Sequence, residues 1–329
     1  MSDLQAEQYE LGTQYVKPGK SDIISFATRV SGGVCPGNKA SIKKKFDTNE
    51  DALGFLRLPA GHAIMLASDS HYGALASELA VTRFMAQFQN AEGNILQRLF
   101  GAHVSLDTLI REEKAHRGGV YPNCAATLIS LYVAPGLVNW CSSGDSHFFL
   151  HRDGRMRKIN KNHETMFLGD SYCHPGKLRS KLESMGVIDV MTSDLNVLEI
   201  MYLLSDFRRE LDDSVVDIDM AEALTAKISE LAGIPFPEDA DKFLNAWNPL
   251  NQLVYETAPR WGMTEIQEGD TILLATDGID EEETGVPLVE LEAMIGEESN
   301  MDKLAGDILK KCAGKKGGND NLMFMLAKT

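Results

Sequence analysis

Nowhere in the 329 residues is there an apolar run approaching the roughly 20 residues that span a bilayer. The first residues, MSDLQAEQYELGTQ, have neither the basic nor the apolar region of a secretory signal. A soluble protein of the cytoplasm, with no membrane partner, is the expectation. Cysteine is sparse: Cys35, Cys124, Cys141, Cys173 and Cys312 form no CxxC pair and no regular framework. That excludes a zinc knuckle or a disulfide scaffold and leaves thiols that fill core space. Positive charge is also short, with 32 Lys and Arg against 48 Asp and Glu and a net charge of -16. Such a balance argues against a nucleic-acid partner and leaves cations as natural company for the excess acids. Neither an internal repeat nor a low-complexity tract is present, and nothing in the pattern reports an oligomeric state.

What is present is mostly sheet. Residues 1–20 read as a polar N-terminal segment ahead of one domain over 21–329. Asp22 to Arg29 reads as a short strand, followed by a Gly-, Pro- and Lys-rich loop from Gly32 to Lys45. Ala52 to Leu58 and Ala63 to Ser68 flank the turn Pro59-Ala60-Gly61 and predict a hairpin. From Ala74 the apolar period becomes helical, through Leu75, Leu79, Phe84 and Phe88, and a second helix is predicted from Ile95 towards His116. Strands follow at Cys124, Leu137 and His147, with turns at Pro135-Gly136 and Asp153-Gly154. Strands in such quick succession mean antiparallel sheet rather than βαβ units. Residues 171–246 change to helical spacing and read as an inserted helical flap. Thr271 to Thr276 and Leu322 to Ala327 restore strands, with helices predicted near Pro287 to Ile295 and Met301 to Cys312 between them.

Three acids stand at strand ends: Asp69 after AIMLAS, Asp277 after TILLAT and Asp320 before NLMFMLA. Gly73, Gly278, Gly317 and Gly318 lie beside them, and glycine permits the tight turns that draw carboxylates together. One such Asp is an ordinary turn residue or helix cap. Several in one place repel and call for a compensating cation. An oxygen-only set suits Mg²⁺ or Mn²⁺, and a pair of such ions activates water for in-line displacement at phosphorus.

Five ordered motifs resemble the metal-dependent type 2C protein phosphatase family. They are Asn49-Glu50-Asp51-Ala52; Ala67-Ser68-Asp69-Ser70-His71-Tyr72-Gly73; Ala125-Ala126-Thr127-Leu128 with Ser143-Gly144-Asp145-Ser146; Ala275-Thr276-Asp277-Gly278-Ile279; and Gly318-Asn319-Asp320-Asn321. The resemblance implies an α+β fold, a four-layer αββα sandwich of two antiparallel sheets packed face to face and flanked by helices. It also implies two divalent cations, with Asp69 bridging them, Asp277 and Asp320 completing the first site, and Glu50, Asp51 and the Ser70 carbonyl serving the second. Asp145 matches the position of a third cation in some members. His71 matches the residue that protonates the leaving alcohol, and the partner implied is a phosphoprotein bearing phosphoserine or phosphothreonine.

The sequence departs from the family pattern at several points. Ser70 and Tyr72 stand where the family has glycine, His147 replaces an arginine, and Phe46 falls where an arginine grips substrate phosphate. Lys44 or Lys45 would then supply that contact as a point charge. These departures keep two other readings open: the same fold acting on another phosphoester or phosphodiester, such as a nucleotidylated protein, or a catalytically inactive regulatory module.

Overall fold

The computed structural model describes residues 8–11, 22–27, 29–36, 49–117, 123–163, 167–170, 180, 201–202, 226, 258–313 and 320–329. The chain divides into two compact units, Met1–Asp170 with Arg260–Thr329, and Ser171–Pro259. The helical flap expected over residues 171–246 lies almost wholly outside the described residues. Among the described residues no helix is long and apolar enough to cross a membrane.

In chain order the strands of the first unit are β1 (Gln8–Leu11), β2 (Asp22–Ala27), β3 (Val30–Cys35), β4 (Ala52–Arg57), β5 (Ala63–Ser68), β6 (Ser70–His71) and β7 (Ala125–Ala126). They continue as β8 (Leu128–Ala134), β9 (Leu137–Ser143), β10 (His147–Arg152), β11 (Arg155–Lys158), β12 (Arg260–Glu265), β13 (Thr271–Ala275) and β14 (Leu322–Lys328). The longer helices are α1 (Leu75–Asn90), α2 (Ile95–His116), α3 (Leu288–Glu297) and α4 (Met301–Ala313). One sheet runs β1-β4-β5-β8-β9-β12 and the other β11-β10-β13-β14-β3-β2, with every neighbouring pair antiparallel.

Period-two alternation places the core. Leu53, Phe55, Met65, Ile129 and Leu131 of one sheet meet Phe148, Leu150, Ile272, Leu274, Met323 and Met325 of the other. The intervening residues Phe149, Leu273, Phe324 and Leu326 face outward, under Leu291 and Ile295 of α3 and Leu304 and Ile308 of α4. α1 and α2 cover the other sheet, where α1 lies against β4 and β5 and α2 against β9. Full burial of such side chains contributes about 1.5–3 kcal/mol each. The result is the expected four-layer α+β sandwich.

The strands expected from Asp22, Ala52, Ala63, Leu137, His147, Thr271 and Leu322, and both helices after Asp69, lie where the periodicity put them. The strand expected from Cys124 is divided into β7 and β8. Two further expectations are corrected. The loop from Gly32 begins inside β3, because a Cβ on Gly33 would lie 2.6 Å from the Phe324 ring; glycine there makes room for an aromatic neighbour rather than a turn. Residues 1–20 are not wholly outside the domain, since Gln8–Leu11 pairs with Gly54–Arg57 at the sheet edge.

Candidate metal centre

β5 ends at Ser68, and the chain continues through Asp69 into β6, which pairs with β7 through Ser70↔Ala126 and His71↔Ala125. Thr127 clamps this point: its N–H donates to the Asp69 carbonyl at 2.8 Å, and its Oγ1 accepts from the Asp69 N–H at 2.9 Å. The same hydroxyl lies 2.6 Å from Ser146 Oγ, next to Asp145. Gly144, at φ 90°, lets that loop approach, since a Cβ there would stand 2.7 Å from Thr127 Cγ2.

Tyr72 at φ 63° and Gly73 at φ 117° then turn the chain into α1. The buried Ser70 hydroxyl donates to the Gly73 carbonyl at 2.6 Å, and the Cys124 thiol donates to that carbonyl at 3.0 Å. Burial pushes the Cys124 thiol up from its ordinary value, so it serves as a brace rather than a nucleophile.

The two acids before β4 have different partners. Glu50 Oε1 accepts the Gly73 N–H at 2.8 Å, and the Glu50 N–H donates to Asn321 Oδ1 at 3.2 Å. Asp51 is hydrogen-bonded to Asp69 and accepts from Thr276 Oγ1 at 2.8 Å. Thr276 also accepts the Met323 N–H at 3.1 Å, so it ties the end of β13 to the start of β14. Asp277 opens the turn that follows. A Cβ on Gly278 would fall 1.8 Å from the Asn321 carbonyl oxygen, so only glycine lets the Asp277 turn approach Asp320-Asn321. Asp320 is buried and accepts the Asn321 N–H at 2.8 Å. Three neutral side chains, Thr127, Thr276 and Asn321, thus lash the acid-bearing strand ends to one another.

The electrostatics identify which acids share one field. Burial, then the charges of Asp51 and Asp277, the hydrogen bond from Asp51 and the charge of Asp145 hold the Asp69 carboxyl well above the usual carboxylate range. Burial and the Asp277 charge push Asp145 up to about 6. Its Oδ1 is buried with no hydrogen-bond partner among the described residues. Crowded acids of this kind, with an orphaned oxygen and oxygen-only donors, fit a hard divalent cation. Among the described residues, however, no three Asp, Glu, His or Cys side chains converge as a ready-made ligand set. A cavity of about 860 Å³, lined by Phe55, Arg57 and Met65, is at the opposite strand ends and contains none of these acids.

His71 stands at the rim, with Nδ1 3.8 Å from Asp69 Oδ2 and its ring edge-on to Phe167 at 4.9 Å. Lys44, Lys45 and Phe46 lie outside the described residues. Sequence reasoning missed a chain behind Asp145. Lys158 Nζ donates to His147 Nδ1 at 2.8 Å, and Nε2 of the fully buried His147 is 2.9 Å from Asp280 Oδ1. An ammonium only donates, so His147 Nδ1 is the acceptor in the contact with Lys158. The available signal was the Asp153-Gly154 turn, which predicts a second hairpin strand carrying Lys158 opposite Phe149.

Comparison with known proteins gives a consistent answer. Serine/threonine phosphatase Stp1 from Staphylococcus aureus superposes with a TM-score of 0.56 at 14% identity, covering 94% of this chain and 98% of that one. The serine/threonine phosphatase PstP/Ppp of Mycobacterium tuberculosis gives 0.52 at 16% identity, covering 91% and 97%. The catalytic domain of PstP in complex with two manganese ions gives 0.53 at 16%, covering 94% and 99%. These likenesses show a shared fold. No curated protein matches the sequence significantly. The family pattern described as protein phosphatase 2C matches residues 41–307, more than half of the chain. The chain belongs to the protein phosphatase 2C family.

Proposed function

We propose that this chain hydrolyses phosphoserine and phosphothreonine on proteins, using water as the nucleophile in the presence of two divalent cations, Mg²⁺ or Mn²⁺. The observation that carries the reading is the shared field of Asp51, Asp69, Asp145 and Asp277, in which burial and mutual repulsion hold Asp69 well above the ordinary range and Asp145 at about 6. The family membership and the manganese-bound PstP fold support it. Asp69, Asp277 and Asp320 would hold the first cation, with Asp69 shared with a second that Glu50, Asp51 and the Ser70 carbonyl reach directly or through water. Asp145 would serve a third. When bound, the cations supply a water acidic enough to ionise near neutral pH and counter-charge for the phosphoryl oxygens.

The chain's own residues do the rest. Thr127 and Thr276 fix the strand ends bearing Asp69 and Asp51, so no reorganisation is needed as charge develops. His71, whose Nδ1 is 3.8 Å from Asp69 Oδ2, would hold a proton for the leaving alcohol oxygen. Lys44 or Lys45 would meet the substrate phosphate.

The test is hydrolysis of a phosphothreonine peptide with Mn²⁺ or Mg²⁺, with and without chelator, beside Asp277→Asn. Chelation should abolish turnover, and the variant should lose at least about a hundredfold. Equal rates under all three conditions would refute the reading.

A further inference from the structure

Tyr72 presents an unusual combination. Its φ of 63° lies in the left-handed region, which an aromatic residue rarely adopts and which glycine would occupy without strain. Strain of this kind persists where something else requires the side chain. The residue is 59% exposed, so more of it faces outward than is packed against the fold. The position is not casual, because Asp69 lies three residues back and His71 immediately before. His71 in turn packs edge-on against Phe167, so an aromatic surface already exists at this rim.

We propose that Tyr72 is a specificity-determining residue whose ring contacts an apolar or aromatic side chain next to the phosphorylated residue of a protein substrate. The proposal rests on the reading of the site as a phosphoserine and phosphothreonine phosphatase. In that reading the scissile phosphate sits at the acids and the leaving alcohol at His71, so the peptide flanking the phosphoresidue passes the Tyr72 ring. An exposed ring held by a tight turn has little freedom left to lose on binding, which favours stacking against a flanking side chain. An acidic flanking residue would gain nothing from the electron-rich ring face.

Two phosphothreonine peptides that differ only in the residue after the phosphothreonine, Phe or Gly, test the proposal. Turnover is measured with Mn²⁺. Binding is measured in parallel by fluorescence anisotropy, with the same peptides carrying a non-hydrolysable phosphonate. The unaltered protein should bind and turn over the Phe peptide about fivefold better, the scale of one aromatic pair. Tyr72→Gly should abolish that preference while handling the Gly peptide as before, and Tyr72→Phe should retain it. No preference in the unaltered protein would overturn the proposal, as would a preference surviving in Tyr72→Gly or an equal loss on both peptides. A binding preference lost in Tyr72→Gly, with neither peptide hydrolysed, upholds the ring contact and refutes the phosphatase reading alone.

Discussion

His103 predicts how this fold responds to acid. It sits in α2, fully buried, with Nδ1 2.7 Å from Ser143 Oγ and Nε2 2.9 Å from Ser130 Oγ. Each ring nitrogen therefore faces a hydroxyl, which can donate or accept, and among the described residues no carboxylate is paired with the ring. Burial first, and the neighbouring His163 second, lower its pKa from 6.5 to about 3. Because the folded pKa is depressed below the unfolded one, the unfolded chain binds the extra proton between those values. Stability from this residue is therefore complete above about pH 6.5 and is lost as pH falls. At pH 5 the unfolded imidazole is almost wholly charged and the folded one almost wholly neutral, which amounts to about 2 kcal/mol relative to pH 7.5. Urea unfolding of the chelated protein at both pH values, beside His103→Leu, isolates the effect. The variant should be less stable at pH 7.5, because Ser143 loses its partner, yet should lose about 2 kcal/mol less on acidification than the unaltered protein. An identical pH dependence in the two proteins would refute the reasoning.

Gly278→Ala forces a methyl group to 1.8 Å from the Asn321 carbonyl oxygen, and no side chain there can give way. It should cost at least about 2 kcal/mol and weaken Mn²⁺ binding, read by urea unfolding and metal titration; unchanged values in both would show that the two turns need not touch. Tyr72→Gly should do the reverse for stability, raising it by about 1 kcal/mol by relieving φ 63°, and a fall in the unfolding midpoint would mean that the ring supports the fold.

The fold was legible wherever a segment carried one clear period. The strands of the two core layers read as short apolar runs, and the fold turns Met323 and Met325 towards the opposite sheet and Phe324 and Leu326 towards the helices. Segments that escaped did so for identifiable reasons. β3 contains two glycines, and Gly33 makes room for the Phe324 ring; β12 contains Gly262, where a Cβ would lie 2.8 Å from the Trp140 ring. In both strands the residue that reads as a loop signal is the small partner of an aromatic ring on the next strand. β11, with the sequence RMRK, is an edge strand whose single buried residue is Met156, too little apolar content to register. Such pairings depend on which strand becomes the neighbour, which local pattern does not contain.

The candidate site divides in the same way. Asp69, Asp277 and Asp320 could be singled out because each borders a strand with glycine nearby, a local property. Their partners depend on neighbours brought by the fold. Glu50 and Asp51 are adjacent in sequence and equally acidic, yet Glu50 secures the Gly73 N–H while Asp51 hydrogen-bonds Asp69. Glu50 and Asp51 both precede β4, outside the regular alternation of a strand, so their order in the sequence does not say which one reaches Asp69. The hydroxyl and amide clamps Thr127, Thr276 and Asn321 have no charge to mark them, although each ties an acid-bearing segment to another strand end. Removing a clamp would leave the acids in the sequence and loosen their spacing. The ligand types are therefore written locally, while the geometry that makes them a site comes from strand pairing across the whole sandwich.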